Sequence, residues 1–294
     1  MRIALFGNVS PDRNPQFEKY IFSVCKAIKK YPIDLYLPDK LFYSLSPDMQ
    51  DKIRPLCILF DVIPPVDMAM SIGGDGTFLR TASAIGDRGI PILGINTGRL
   101  GFLTGVNYNE LNDILPEIVE KKYRIEERTL LGIDTKEHPN PFGNICALNE
   151  VAILKQDTAS MLSIHAYING EYLTSYQADG LVIATPTGST AYSLSIGGPI
   201  LVPTSPSIIL AAIAPHSLTA RPLVVGDDSR ISLKVESRSN HYLVSLDGQS
   251  QTFNKKTLIE VYKAAYTQKI VKRSEHTFFK TLRDKLMWGA DLRK

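Results

Sequence analysis

The sequence predicts an α/β domain followed by a mostly β domain, on three observations. Residues 1 to about 122 alternate short apolar runs with amphipathic stretches, the signature of a parallel sheet with crossover helices. Between Glu120 and Arg128 seven of nine residues are charged, and beyond them the apolar period changes from helical to alternating. At 294 residues, 44% hydrophobic and 21% charged, the chain has the size for two ordinary domains and an average globular composition. Disorder, collagen and coiled coil are excluded.

Arg2 to Phe6 reads as the first strand. In Phe17 to Lys30, Phe17, Tyr20, Ile21, Val24 and Ile28 share one stripe while Lys19, Lys26 and Lys29 fall elsewhere, which predicts an amphipathic helix. Further strands are expected at Ile33 to Leu37, Leu56 to Phe60, Met68 to Ile72 and Ile90 to Ile95. A helix from about Asn109 to Lys121 contains Pro116, which should kink or shorten it. In the second half, His165 to Thr174 reads as two strands joined by Asn169-Gly170, and Ile231, Leu233 and Val235 alternate with Ser232, Lys234 and Glu236. Thr277 to Trp288 looks helical. The domains are placed at 1–124, joined by a C-terminal helix within 274–294, and at 125–273.

The apolar run Ile208 to Ala214 is far shorter than the ~18 to 20 residues of a spanning helix, so no membrane span is expected. The segment MRIALFGNVS lacks the apolar core of a signal peptide, and a cytoplasmic location is expected. Cys25, Cys57 and Cys146 are odd in number and never spaced as CxxC, which points to buried thiols rather than disulfides or zinc ligands. A net charge of +3 is too weak for a nucleic-acid binder, and the short clusters Lys255-Lys256 and Lys269 to Arg273 read as solvated faces.

Three constellations could carry chemistry. Gly73-Gly74-Asp75-Gly76-Thr77 follows an apolar strand and precedes the helical pattern Phe78 to Ile85, so its glycines can present backbone N–H groups to a phosphate at a helix N-terminus. Asp75 in such a turn suits a base or a hydroxyl or metal contact; the alternative is a tight turn whose Asp caps the next helix. Neither the third glycine of a dinucleotide fingerprint nor a P-loop follows. Second, Asp179-Gly180 and the strand Leu181 to Ala184 lead into Thr185-Pro186-Thr187-Gly188-Ser189-Thr190-Ala191-Tyr192-Ser193-Leu194-Ser195, then Gly197-Gly198. Four hydroxyls within Thr185 to Thr190 exceed what one cap uses, and with Tyr192 they suit a nucleoside, unless they simply cap and turn. Third, Asn149-Glu150 sits inside the apolar strand ICALNEVAILK, where buried polar groups need partners; the alternative is a strand end facing water. Arg80, one turn beyond Asp75, could reach a phosphate. His216 and the Asp247-Gly248-Gln249 turn read as structural when taken alone.

Taken together, GGDGT, the NE pair, DG at 179–180, TPTGSTAYSLSIGGPI from Thr185 to Ile200 and DGQ at 247–249 resemble the NAD kinase family in order and spacing over nearly the whole chain. GGDGT is shared with diacylglycerol kinases and more loosely with phosphofructokinases, whereas TPTGSTAYSLS is specific. A lipid kinase would need an apolar or polybasic membrane-facing element, which the sequence does not show; a non-catalytic dinucleotide sensor would gain little from Asp75.

The resemblance implies a two-domain fold, phosphorylation of the adenosine ribose 2′-hydroxyl of NAD by ATP or another phosphoryl donor, and homodimers or homotetramers whose subunits complete one another's sites. It implies Asp75 as proton acceptor, Gly73, Gly74, Gly76 and Thr77 as phosphate turn, and Asn149 and Glu150 as nucleoside and ribose contacts. Arg80 and Gln249 join the binding set. Asp179 corresponds to a carboxylate on the nicotinamide half, often reaching across a subunit interface. Thr190, Ala191, Tyr192, Ser193, Leu194 and Ser195 match an adenosine-lining segment, and Phe102, in Gly98-Arg99-Leu100-Gly101-Phe102, an aromatic wall. Gln177 stands where many relatives carry a basic residue. Mg²⁺ is expected to be held mainly through substrate phosphates.

Overall fold

The computed structural model describes all residues except 9–14, 99–100, 136–140, 144, 158–159, 274–276 and 290–294. Arg99 and Leu100 of the aromatic-wall segment, and parts of the expected C-terminal stretch, therefore lie outside the described residues. The elements in chain order are β1 (Arg2–Gly7), α1 (Pro15–Ile28), β2 (Asp34–Pro38), α2 (Asp39–Ser44), α3 (Pro47–Ile53), β3 (Ile58–Phe60), β4 (Met68–Ile72), α4 (Asp75–Ile85), β5 (Ile92–Asn96), β6 (Val106–Asn107), α5 (Leu111–Val119) and β7 (Arg124–Arg128). There follow β8 (Leu131–Thr135), β9 (Glu150–Lys155), β10 (Leu162–Ile168), β11 (Glu171–Ala178), β12 (Gly180–Ala184), α6 (Tyr192–Ser195), β13 (Ser207–Ile213), β14 (Leu223–Gly226), β15 (Ile231–Glu236), β16 (His241–Leu246), β17 (Gln249–Asn254), β18 (Leu258–Lys263), β19 (Gln268–Lys272) and α7 (Phe278–Leu286). They form two compact units, residues 1–127 with 269–294, and residues 128–268.

The first unit is built on a sheet ordered β3-β2-β1-β4-β5-β19-β7, with the short β6 beside β5. Strands β1 to β5 pair in parallel. Every residue of β4 and β5 is buried, as expected of mostly apolar strands covered on both faces, and this includes the polar Ser71 and Asn96. On α1, Ile21, Val24 and Ile28 of the stripe read from the sequence are buried, joined by Cys25, while Phe17 and Tyr20 are half-buried. Pro116 lies inside α5, which runs from Leu111 to Val119; the start is later than expected because a 3₁₀ turn precedes it, whose Asn107 and Glu110 cap one another. Strand β3 starts later than expected because Arg54–Leu56 forms a 3₁₀ turn.

Among the described residues of the second unit all strand pairs are antiparallel. A five-stranded sheet, β11-β10-β15-β18-β8, and a six-stranded sheet, β14-β13-β12-β9-β16-β17, contribute to one core in which Leu181, Ile183, Val151 and Val244 meet Ile164, Leu233 and Ile259. The six-stranded sheet is apolar on its second face too, where Ala152, Val182, Ala184, Ile209 and Ala211 pack with Ile196 and Leu201. The α/β and mostly β halves expected from the sequence are thus present.

Two readings change. Strand β19 pairs in parallel with β5 and belongs to the first unit's sheet, although its sequence position assigns it to the second domain. Lys269 to Arg273 is accordingly no solvated face. Lys272 is buried with Nζ donating to the Leu103 carbonyl, and Arg273 pairs with Glu117 at 2.6 Å.

Candidate active site

Strand order in the first unit reverses beside β1, where the chain runs to β2 on one side and β4 lies on the other. At such a switch point the loops leaving the carboxyl ends of neighbouring strands part and leave a crevice. Here it is a cavity of about 290 Å³ lined by Phe6 and Gly7 at the end of β1, by Asn8 just beyond it, and by Thr77, Arg80 and Thr81 of α4. The Arg80 guanidinium donates to Asn8 Oδ1 at 2.9 Å and to Thr77 Oγ1 at 3.3 Å, which holds it on the cavity wall.

The GGDGT segment joins β4 to α4, with Gly74 as N-cap and Asp75 as the first helical residue. The capping alternative for Asp75 fails, because its carboxylate leaves its own helix. Oδ2 accepts the Phe102 N–H at 2.8 Å; Oδ1 accepts the N–H groups of Leu103 and Thr104, both at 3.2 Å, and the Thr104 hydroxyl at 3.1 Å. Thr104 Oγ1 in turn accepts from Asn96 and from the Gly101 N–H. A Cβ on Gly101 would run into the Asp75 carboxylate, so the glycine of this loop is required by the closeness of the two segments. The opposite holds at Gly76, where a Cβ would meet no atom within 4 Å. Glycine in a helix costs about 1 kcal/mol relative to alanine. Nothing in the chain's own packing offsets that cost, which fits a turn kept open for a ligand's approach.

In the second unit three strand ends coincide: Glu150 opens β9 opposite Ala184 at the end of β12, and Val151 pairs with Leu246 at the end of β16. Asp247, just past β16 with φ +47°, accepts the N–H groups of Leu148, Asn149 and Glu150 at 2.7, 2.9 and 3.1 Å. Burial pushes its carboxyl above the ordinary range, and those three bonds pull the other way. Thr185 ties the second turn to the same place: its hydroxyl donates to the Leu148 carbonyl at 2.6 Å, its N–H donates to Asn149 O, and its Oγ1 accepts from Gly188 N–H. A Cβ on Gly188 would strike the Asn149 carbonyl.

The four hydroxyls read as surplus are therefore used inside the protein. Besides Thr185, Ser189 donates to Pro186 O, Thr190 to Thr187 O, and Thr187 accepts from Arg128. What they leave available is different. Glu150 Oε2 and Ser193 Oγ are buried and have no hydrogen-bond partner. The Glu150 carboxyl is pushed up to about 7 by burial and by the Asp247 charge, against a bond from the Tyr192 N–H. Tyr192 is 37% exposed on the short helix α6 with Leu194 and Ser195, beside Ala191. The strand-end alternative for Glu150 is half right: it does open a strand, but its carboxylate is not in water.

Not every candidate joins these groups. Asp179 precedes β12 and Thr185 follows it, so six residues of extended chain, about 20 Å, separate them. Asp179 instead pairs with Lys155 at 2.7 Å. Gln177 is exposed and exchanges hydrogen bonds with Ser163. Gln249 stands two residues beyond Asp247, exposed at the start of β17. His216 donates its backbone N–H to Gln177 O in an exposed loop. Sequence reasoning missed Gly101, Thr104 and the role of Asp247. Of the three, only the DGQ turn carried a visible signal.

Residues 61–123 match the ATP-NAD kinase N-terminal domain and residues 148–273 the ATP-NAD kinase C-terminal domain. The chain is 47% identical over 296 residues to an NAD kinase of Bacteroides fragilis, covering all of both proteins. It is 46% identical over 293 residues to one of Porphyromonas gingivalis, covering 99% of each. Among solved structures, yeast NADH kinase complexed with NADH superposes with a TM-score of 0.84 at 25% identity, over 99% of this chain and 89% of that one. An NAD kinase from Archaeoglobus fulgidus in complex with ATP gives 0.74 at 26% identity, over 98% and 99%. Full-length relatives, both domain families and the fold agree, and the chain belongs to the NAD kinase family, whose members phosphorylate NAD to NADP.

Proposed function

We propose that Asp75 accepts the proton of the adenosine ribose 2′-hydroxyl of NAD while that oxygen attacks the γ-phosphorus of ATP, giving NADP and ADP. The single observation that carries the chemistry is the Asp75 carboxylate beside the open glycine turn. Its Oδ1 takes three donors and its Oδ2 only one, so Oδ2 keeps a lone pair for the incoming proton. The four bonds fix the carboxylate before substrate arrives, which is what positional catalysis by a base requires.

Phosphates lying on Gly73 to Thr77 would meet the N-terminal N–H groups of α4, with Arg80 on the wall. Solved relatives hold ATP in one case and NADH in another, which supports a nucleotide and a dinucleotide as the ligands here. Among the described residues no three His, Cys, Asp or Glu side chains gather as a metal cage. Mg²⁺ held mainly through substrate phosphates on the glycine turn would offset their charge there. Glu150 Oε2 and Ser193 Oγ would find ribose or base partners in the dinucleotide, with Asn149, Tyr192 and the Thr190–Ser195 segment beside them. Asp179, about 20 Å of strand away from that segment, would serve the site of a neighbouring subunit in a homo-oligomer.

Purified protein given Mg²⁺, ATP and NAD⁺ should form NADP⁺. Asp75→Asn should bind both nucleotides by calorimetry yet lose roughly 10² to 10⁴-fold in single-turnover rate. Near-normal turnover by that variant would remove the base assignment; absence of product from the folded wild type would leave a dinucleotide sensor.

A further inference from the structure

Four cations distant in sequence converge on the second unit. Lys234 projects from the outer face of β15, whose alternate residues Leu233 and Val235 are buried. Arg238 lies in the turn after β15, and Lys255 and Lys256 lie in the turn between β17 and β18. The two turns are tied together by the Lys255 N–H, which donates to Asn240 O at 3.0 Å. The second is also closed on itself by the Lys256 N–H donating to Asn254 Oδ1 at 2.9 Å. The four side chains line one groove of about 780 Å³, within the size range of small-molecule sites. Glu236 is the single carboxylate on its wall, 3.4 Å from His165 Nε2. Among the described residues none of the four cations has a carboxylate in ion-pair reach. Four positive charges against one negative leave an excess of three, the same as the +3 of the whole chain. Three excess positive charges on one concave wall give the groove a positive local field.

We propose that this groove is a binding site for a phosphoanhydride chain. A single phosphate on an exposed lysine gains little against screening and side-chain entropy. A ligand with several linked phosphates meets all four cations at once and loses its freedom only once. On the same walls Ser163 and Gln177 bond to each other and Ser237 to Ser239; the second N–H of the Gln177 amide is the neutral donor left for a phosphate oxygen. This chemistry is shared by inorganic polyphosphate and by nucleoside triphosphates.

The test is calorimetry with inorganic tripolyphosphate, orthophosphate and ATP, without Mg²⁺, on the full-length wild type, on Lys255→Ser/Lys256→Ser and on Lys234→Gln. Wild type should bind tripolyphosphate far more tightly than orthophosphate, with affinity falling as salt rises. The double variant should lose roughly tenfold or more of that affinity and Lys234→Gln a smaller factor, while both keep wild-type NADP⁺ formation at saturating substrate. An equal loss for ATP would include nucleotides among the ligands, and an ATP affinity unchanged by the variants would restrict the groove to inorganic chains. Unchanged tripolyphosphate binding in the double variant would overturn the proposal. So would equal wild-type affinity for orthophosphate, or a changed solution mass of the variants with anion binding retained, which would make the lysines subunit contacts.

Discussion

Glu150 shows how one buried carboxyl can link site and stability. Its folded value near 7 lies above its ordinary 4.5, so the folded chain binds the proton more tightly than the unfolded one. Stability from this group therefore falls as pH rises from about 4.5 to about 7, and the full penalty remains above that window. Glu150→Gln, which cannot ionise, should melt higher than wild type at pH 8 and the same as wild type near pH 4.5. A constant difference at both pH values would show that Glu150 keeps an ordinary carboxyl. Tyr192 contributes its backbone N–H to Glu150 and leaves its ring exposed, so Tyr192→Phe should keep most activity and Tyr192→Ala should lose much of it. Equal losses would make the phenolic hydroxyl the important group. Asp75→Asn is less innocent than its isosteric shape implies. With its oxygen on the Leu103 and Thr104 side, the amide NH₂ would face the Phe102 N–H, a loss of about 1 to 3 kcal/mol visible as a lower melting temperature.

At the scale of elements, both catalytic-looking turns are shaped by close backbone approaches. Gly101→Ala should push the 101–104 loop off the Asp75 carboxylate, costing most of the NADP⁺ yield while circular dichroism stays native. Retained activity would mean that the loop gives way without moving the base. Asp247→Asn should leave one of three N–H groups facing an amide NH₂ and release the Asn149-Glu150 strand end. KM for NAD should then rise more than kcat falls, since the pair would bind rather than react. The GGDGT turn was readable because strand, glycines and helix are consecutive. The Asp247 clamp was not, because its partners lie 97 to 99 residues away in the chain. The hydroxyls of 185–190 were counted correctly but left open between a nucleoside and plain capping, because composition cannot distinguish a hydroxyl bonded inside its own turn from a free one.

For the molecule as a whole, Asp179 gives the sharpest expectation. If it serves a neighbour's site, Asp179→Ala and Asp75→Asn subunits, each poorly active alone, should regain activity when refolded together, because some mixed sites carry both intact residues. No complementation would place Asp179 in its own subunit's structure, where the Lys155 pair already accounts for it. A chain cut after Gln268 would lose β19, an interior strand between β5 and β7, and its first unit should unfold at markedly lower denaturant than the full chain.

Apolar periodicity and local turn chemistry are encoded in consecutive residues, so the two-part architecture, the buried residues Ile21, Val24 and Ile28 of α1, the Asn169-Gly170 hairpin and the strand-to-helix placement of Asp75 could all be read before folding. What depends on residues far apart could not. The return of β19 to the first sheet, the Gly101–Thr104 loop that holds Asp75, the three N–H groups gathered by Asp247 and the cations of the second unit's groove are neighbours only once the strands have paired. Hydrophobic patterning tells a strand which face to bury and says little about which strand it will lie beside, since many partners satisfy the same pattern. Strand pairing is chosen by the packing of the whole core.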